Sequence, residues 1–198
     1  MTTLIALDIS AARTGVADGN LGETPRFYSA RFKRSEAENC DVWAEALQWW
    51  TSRLQLSRPD YLIAERRISM MLPKKDGEGN FRQTTSPKTV DLLGGLGGAI
   101  LGTASLCRIG RIRNSKTSDY TVAVSTVRAS FLGKGNLPGD IAKPAARRMC
   151  QLLGWSVAND DEADAGALWW WASWHIDQHR TPAITEAMQT EARTYGER

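Results

Sequence analysis

Four carboxylates stand out by position: Asp8 and Glu65 each close a short apolar run, and Asp161 and Asp164 lie one helical turn apart in NDDEADAGALWWWASWHI. Donor sets made only of oxygen favour magnesium or manganese over softer ions. Two such ions about 4 Å apart activate a water and stabilise the leaving oxygen in phosphodiester hydrolysis, with no histidine required. The Asp161-x-x-Asp164 spacing is the moderately specific part of this pattern. Any one acid has a plainer explanation, because Asp often ends a strand or bonds its own turn, and acids at a helix start complement the dipole.

These acids need elements that bring them together. Leu4 to Leu7 read as a buried strand, too short for a helix, that delivers Asp8 to a sheet's centre, and Thr14 and Gly15 restart the chain in a second strand. Gly15 to Asp18 and Phe27 to Arg34, joined by the turn-rich DGNLGETP, complete an antiparallel meander. Ser35 with Glu38 forms a capping-box pattern. Trp43, Ala46, Leu47, Trp50 and Leu54 then recur at helical spacing up to Pro59, with the tryptophans read as core. YLIAE, Tyr61 to Glu65, repeats the pattern of an apolar strand ending on an acid. Entering after a helix, it should lie parallel to the first strand and release Glu65 at the same sheet edge as Asp8.

Met70 to Lys88 has turn formers and basic residues without apolar periodicity, which predicts a mobile loop. Val90 to Cys107 interleaves Leu, Ile and Ala with Gly94, Gly95, Gly97, Gly98 and Gly102. Without the Lys-Ser/Thr ending of a phosphate loop, it predicts a helix whose glycines serve close backbone packing. Thr121 to Val124 is a further strand, followed by helices near Thr126 to Leu132 and from Asp140 to Leu153, where Gly154 is the stop.

In the last informative helix, at ~100° per residue, Asp161 and Asp164 share the side of Ala165, Leu168, Ala172 and Ile176, the stripe expected to pack on the sheet. Carboxylates that continue a buried face are costly unless paired, protonated or bound to cations. Asp160 and Glu162 are expected to serve the helix start instead. Trp170, Trp171 and Trp174 point to other sides, where either the C-terminal segment or a second subunit must cover them.

A chain of 198 residues, 42% hydrophobic, is most simply one domain with a real core. No run approaches the ~18 to 20 apolar residues of a membrane span, and the N-terminus lacks a signal-peptide pattern, so the expectation is a soluble, unexported chain. Cys40, Cys107 and Cys150, odd in number and set among apolar residues, are expected to be buried thiols in a reducing compartment. The charge is unevenly spread. Between Arg66 and Arg148 there are 15 Lys and Arg against five acids, a net +10, whereas the flanks together carry −7. A basic middle between acidic ends suits a polyanion held over a carboxylate cluster.

The order of these motifs resembles the RuvC family of Holliday junction resolvases, within the RNase H-like superfamily. Asp8, Thr14-Gly15, the acid of LIAERR and DEADA are similar to the family's four-carboxylate site. VRASFLGKG resembles its VKxxVxGxG segment, with Arg128 at a usual lysine, Lys143 matches a second basic position, and LGGLGGAILGTAS is similar to its glycine-containing central helix. The match runs discontinuously from about residue 4 to 172. Asp8-Ile9-Ser10-Ala11 replaces the family's Asp-Pro-Gly-Ser, the loop after Glu65 is longer and more basic, and about four residues are inserted around Asn136 to Gly139. The resemblance implies an α/β fold with a central five-stranded mixed sheet flanked by helices over residues 1–180, and a C-terminal tail over 181–198. It implies a magnesium-dependent crossover-junction endonuclease of DNA recombination and repair, manganese substituting, with Asp8, Glu65, Asp161 and Asp164 as metal ligands. Arg66, Arg67, Lys74, Lys75, Arg82, Arg128, Lys134 and Lys143 become the candidates for phosphate contacts. The implied partners are branched DNA, above all four-way junctions, and a second copy of the chain, in the cytoplasm, nucleoid-associated or phage-encoded. A looser branched-DNA nuclease of phage type stays open beside it. Two other classes are weaker. D-I-S-x-x-x-T-G and GGLGG imitate the phosphate and adenosine motifs of actin-like kinases, but such kinases need two duplicated domains, and a non-catalytic DNA-binding scaffold has no need of all four acids.

Overall fold

Leu4, Ile5, Ala6 and Leu7 are all fully buried because their strand lies inside a sheet covered on both faces. The computed structural model describes residues 1–10, 13–32, 38–66, 74–75, 81–82, 86–113 and 118–197. In chain order it begins with β1 (Thr3–Asp8), β2 (Thr14–Asn20), β3 (Arg26–Ala30), α1 (Asn39–Leu56) and β4 (Tyr61–Arg66). The short strands β5 (Lys74–Lys75) and β6 (Phe81–Arg82) precede α2 (Pro87–Leu106), β7 (Gly110–Arg113), β8 (Ser118–Asp119) and β9 (Thr121–Ala123). The remainder is helical: α3 (Val124–Leu132), α4 (Gly139–Leu152), α5 (Asp160–Ile176) and α6 (Glu186–Gly196).

The main sheet is mixed, in the order β3-β2-β1-β4-β7-β8, with β9 also on β4. β1, β2 and β3 form the antiparallel meander, and β4 runs parallel to β1 as the intervening helix requires. All five expected strands are present. β7 and β8 extend the sheet; RIGRIRNS offers too few apolar residues in alternation to announce them. β5 and β6 pair antiparallel inside the stretch expected to be a mobile loop, most of which lies outside the described residues.

Side-chain alternation along β1, β2 and β4 divides the core in two. Leu4, Ala6, Ala17 and Ile63 face α5, with α3, α4 and α6 outside it, while Ile5, Leu7, Val16, Leu62 and Ala64 face α1 and α2. Helix α1 starts later than Ser35 implied, with Glu38 as its N-cap in a capping box with Asp41. Trp50 is fully buried, but Leu47, counted in the core stripe, is 40% exposed.

Three expectations need correction. Close packing accounts for Gly95, where a Cβ would fall 2.0 Å from the Trp43 ring, but a Cβ on Gly94, Gly97, Gly98 or Gly102 would meet nothing within 4 Å. Helix α2 is also long and apolar enough, by length and composition, to cross a membrane. Its Leu93, Leu96, Ile100 and Ala104 are buried with β1 and β4 in the second core, and most of the helix is not. Of the cysteines, Cys150 is buried, Cys107 is half-buried and Cys40 is exposed; all three are free.

The residues from Thr181 onward are bound to the domain. Gln189 Nε2 and Arg193 Nη1 donate to the Ser130 and Leu132 carbonyls at 2.9 and 2.5 Å, satisfying acceptors that the end of α3 leaves open. Ala192 is fully buried in the α5-side core. The same segment covers Trp170, whose Nε1 donates to the Pro182 carbonyl at 2.7 Å, so Trp170 and Trp171 are buried within one chain and only Trp174 stays substantially exposed, at 43%.

Candidate functional site

Register and alternation put the first two acids side by side. Leu7 is opposite Ala64 in the parallel pair of β1 and β4, so the next residues along, Asp8 and Glu65, leave adjacent strands together. Neighbouring strands lie about 4.8 Å apart. Asp8 follows Leu4 and Ala6, and Glu65 follows Ile63, at intervals of two, so both carboxylates belong to the face that α5 covers. Asp8 is buried.

The start of α5 is fixed against this face by polar and backbone contacts. Asn159 caps it, its side chain accepting from the Glu162 N–H at 3.1 Å. The buried Glu162 carboxylate accepts from Ser29 Oγ on β3 at 2.7 Å, from the Ala158 N–H at 2.8 Å and from Asn159 Nδ2 at 2.8 Å. Glu162 is thus a structural acid, as its helix-start position implied, although it works as a buried tie to β3. Asp160 lies 3.8 Å from Arg147. Gly15 explains itself here: a Cβ would fall 1.9 Å from the Asp161 carbonyl oxygen, so only glycine lets β2 pass beneath this helix end.

Asp164 shares a small pocket with Glu65, Arg128, Phe131 and Leu168. Burial pushes its carboxyl up to about 6, and the charge of Glu65 pushes in the same direction; Arg128 and Lys143 pull it down, while Asp160 adds a further upward push. Three acids and two cations therefore act on one another at this point. Burial, followed by the charge of Asp164, also pushes the nearby Cys150 thiol up to about 12, which makes it an inert packing group. Asp161 is engaged differently. Arg13 Nε donates to its Oδ2 at 2.9 Å, in a pair whose side chains are 30% and 22% exposed. The stripe that grouped Asp161 with Asp164 is only part of the picture, since α5 is buried nearly all round from Glu162 to Ser173.

The candidate phosphate-binding residues divide into groups. Arg128 lines the Asp164 pocket and donates to the Leu137 carbonyl at 3.2 Å, and Lys143 and Lys134 are exposed nearby in sequence, on α4 and after α3. Arg66 is tied to the sheet, donating to Asp119 Oδ2 at 2.9 Å and to Thr121. Lys74, Lys75 and Arg82 lie on the β5–β6 ribbon, and Arg67 lies outside the described residues. Two features escaped the sequence reading: Arg13, whose partner is 148 residues away, and the Ser29–Asn159–Glu162 network across elements distant in the chain. No local spacing signals either.

A divalent cation suits these donors chemically. Asp8, Glu65 and Asp164 offer hard oxygens, and the Glu65–Asp164 repulsion is of the kind a cation relieves. Among the described residues, however, no three Asp, Glu, His or Cys side chains are gathered closely enough to hold one ion. The donor chemistry suits a hard divalent ion, but the described residues do not form a cage around one.

A mixed sheet whose central parallel strands release acids beneath a crossing helix, with helices on both faces, is the RNase H-like α/β fold in its RuvC-like form. A structure of Thermus thermophilus RuvC superposes with a TM-score of 0.63 over 92% of this chain and 100% of its own, at 14% identity. The T. thermophilus RuvC in complex with Holliday junction substrate gives the same TM-score over 93% and 100%, at 12% identity. No protein-family model and no curated protein matches the sequence.

Proposed function

We propose that this chain is a metal-dependent, structure-selective DNA endonuclease that resolves Holliday junctions by paired phosphodiester hydrolysis. The observation that carries the reading is the Glu65–Asp164 pair, two mutually repelling acids in one pocket with Arg128, beside the strand end that releases Asp8. The RuvC-like fold supports it, as does the junction bound by the T. thermophilus RuvC. Asp8, Glu65, Asp161 and Asp164 would hold magnesium, or manganese in its place. Bound there, the metal supplies a water of lowered pKa and Lewis-acid stabilisation of the leaving oxygen.

The chain's own residues do the remaining work. Arg128 and Lys143, already acting on Asp164, offset the repulsion between the acids and a DNA phosphate. Lys134 and Lys74, Lys75 and Arg82 of the β5–β6 ribbon would add phosphate contacts, while Arg66 contributes chiefly to the sheet. Two symmetric incisions call for two copies of the chain, so the working form is a homodimer.

A substrate panel tests the proposal. With magnesium, a synthetic four-way junction should be nicked at symmetric positions, and linear duplex of the same sequence should survive. Equal cleavage of flaps, forks and junctions would replace junction resolution with the looser branched-DNA reading. Cleavage of no DNA with either metal would remove the nuclease assignment.

A further inference from the structure

Arg13 has no place in the chemistry above, yet its Nε donates to Asp161 Oδ2 at 2.9 Å. The surrounding backbone is fixed. Ser10 Oγ accepts from the Arg13 N–H at 3.0 Å and donates to the Arg13 carbonyl at 2.5 Å, which pins the loop at that residue. On the other side, β2 passes so close that a Cβ on Gly15 would fall 1.9 Å from the Asp161 carbonyl oxygen, which holds the helix end against β2. With both backbones held, only the two side chains are free to exchange partners. At 30% and 22% exposure, neither side chain of the pair is sealed in by the elements around it.

We propose that Arg13 is a positioning residue that occupies Asp161 in the metal-free protein, so that the Arg13–Asp161 pair and a divalent cation compete for the same carboxylate. This rests on the metal-dependent reading above. It accounts for a donor set that fits a cation while no three acids, among the described residues, are gathered around one point. A guanidinium and a divalent ion cannot share one carboxylate cheaply, because they repel each other at close range. Metal loading therefore includes the cost of releasing Arg13, and that cost sets the cation concentration at which the site fills.

Calorimetric titration of the full-length protein with magnesium chloride tests this without DNA or turnover. Arg13→Gln, and Arg13→Met, which keeps much of the apolar stem but removes the charge, are compared with wild type after each is shown to melt cooperatively. Both should bind magnesium roughly threefold to tenfold more tightly, as loss of a partly exposed competing ion pair allows. Adding Asp161→Asn to either variant should erase the gain. A merely structural role for Arg13 would weaken binding in both variants, and that result, or affinities equal to wild type, would overturn the proposal while leaving the metal reading intact. Absence of magnesium and manganese binding in all forms at millimolar concentration would overturn both.

Discussion

Asp164 is the residue whose behaviour is most open to measurement. Its carboxyl sits at about 6 against an ordinary 3.8, so the folded chain binds more protons than the unfolded chain across that interval. The stability it contributes is fully present below about 3.8 and is lost as pH rises through about 6. Asp164→Asn removes the buried charge, and in metal-free buffer it should raise stability at pH 8 by about 1–3 kcal/mol, with a much smaller gain at pH 4. Denaturant midpoints at the two pH values decide this, and a gain independent of pH would contradict it. Glu162 should behave in the opposite way: Glu162→Ala removes the acceptor of three part-buried donors and should cost about 1–3 kcal/mol of stability, whereas Asp160→Asn should barely register. A Glu162→Ala midpoint equal to wild type would show that the network does not hold α5. At this scale the sequence disclosed the strand-end acids clearly, because an apolar run ending in a carboxylate is a local pattern. The partners of those acids were not legible, since Arg13 meets Asp161 and Ser29 meets Glu162 only after the sheet and α5 have come together.

The site depends on how closely α5 approaches β2. Gly15→Ala places a methyl group 1.9 Å from the Asp161 carbonyl oxygen, where backbone on both sides leaves nothing flexible to yield. It should cost about 3 kcal/mol or more, through overpacking at a fixed contact. Thermal melts against a control such as Gly98→Ala, whose Cβ meets open space, provide the comparison, and equal melting temperatures would contradict the close approach. Thr14-Gly15 was legible as a spacing, and its cause became visible only with α5 in place. The five strands of the meander and parallel centre were legible because each is a short apolar run bounded by turn residues. β7 and β8 were not, because Gly110–Arg113 buries one side chain at the sheet's far side and takes its register from β4. The tryptophans of α5 were ambiguous for a related reason. A helix buried all round shows no stripe, so nothing local said that the chain's own C-terminal segment would cover Trp170.

At the scale of the molecule, the chain sets a basic stretch from Arg66 to Arg148 between acidic flanks, and two of its cations, Arg128 and Lys143, act on Asp164. Junction binding should therefore fall steeply with salt, by roughly a hundredfold between about 50 and 200 mM if four phosphates are contacted. Arg128→Ala and Lys143→Ala should each flatten that dependence, and a salt-independent affinity would contradict a phosphate-led interface. Of the two covers open to the α5 tryptophans, Trp170 takes the chain's own C-terminal segment and only Trp174 of the three stays exposed, so the homodimer rests on the requirement for paired incisions. Light scattering with and without junction DNA checks it, and a monomer in both conditions would contradict paired cleavage. The most direct measurement of the whole account is cleavage of a synthetic four-way junction in magnesium by wild type and by Asp164→Asn, with binding to the same junction followed in parallel. The account predicts that wild type makes paired nicks and that the variant binds as tightly without cutting. Cutting by Asp164→Asn at the wild-type rate, or a wild-type protein that binds the junction and never cuts it with either metal, would contradict it.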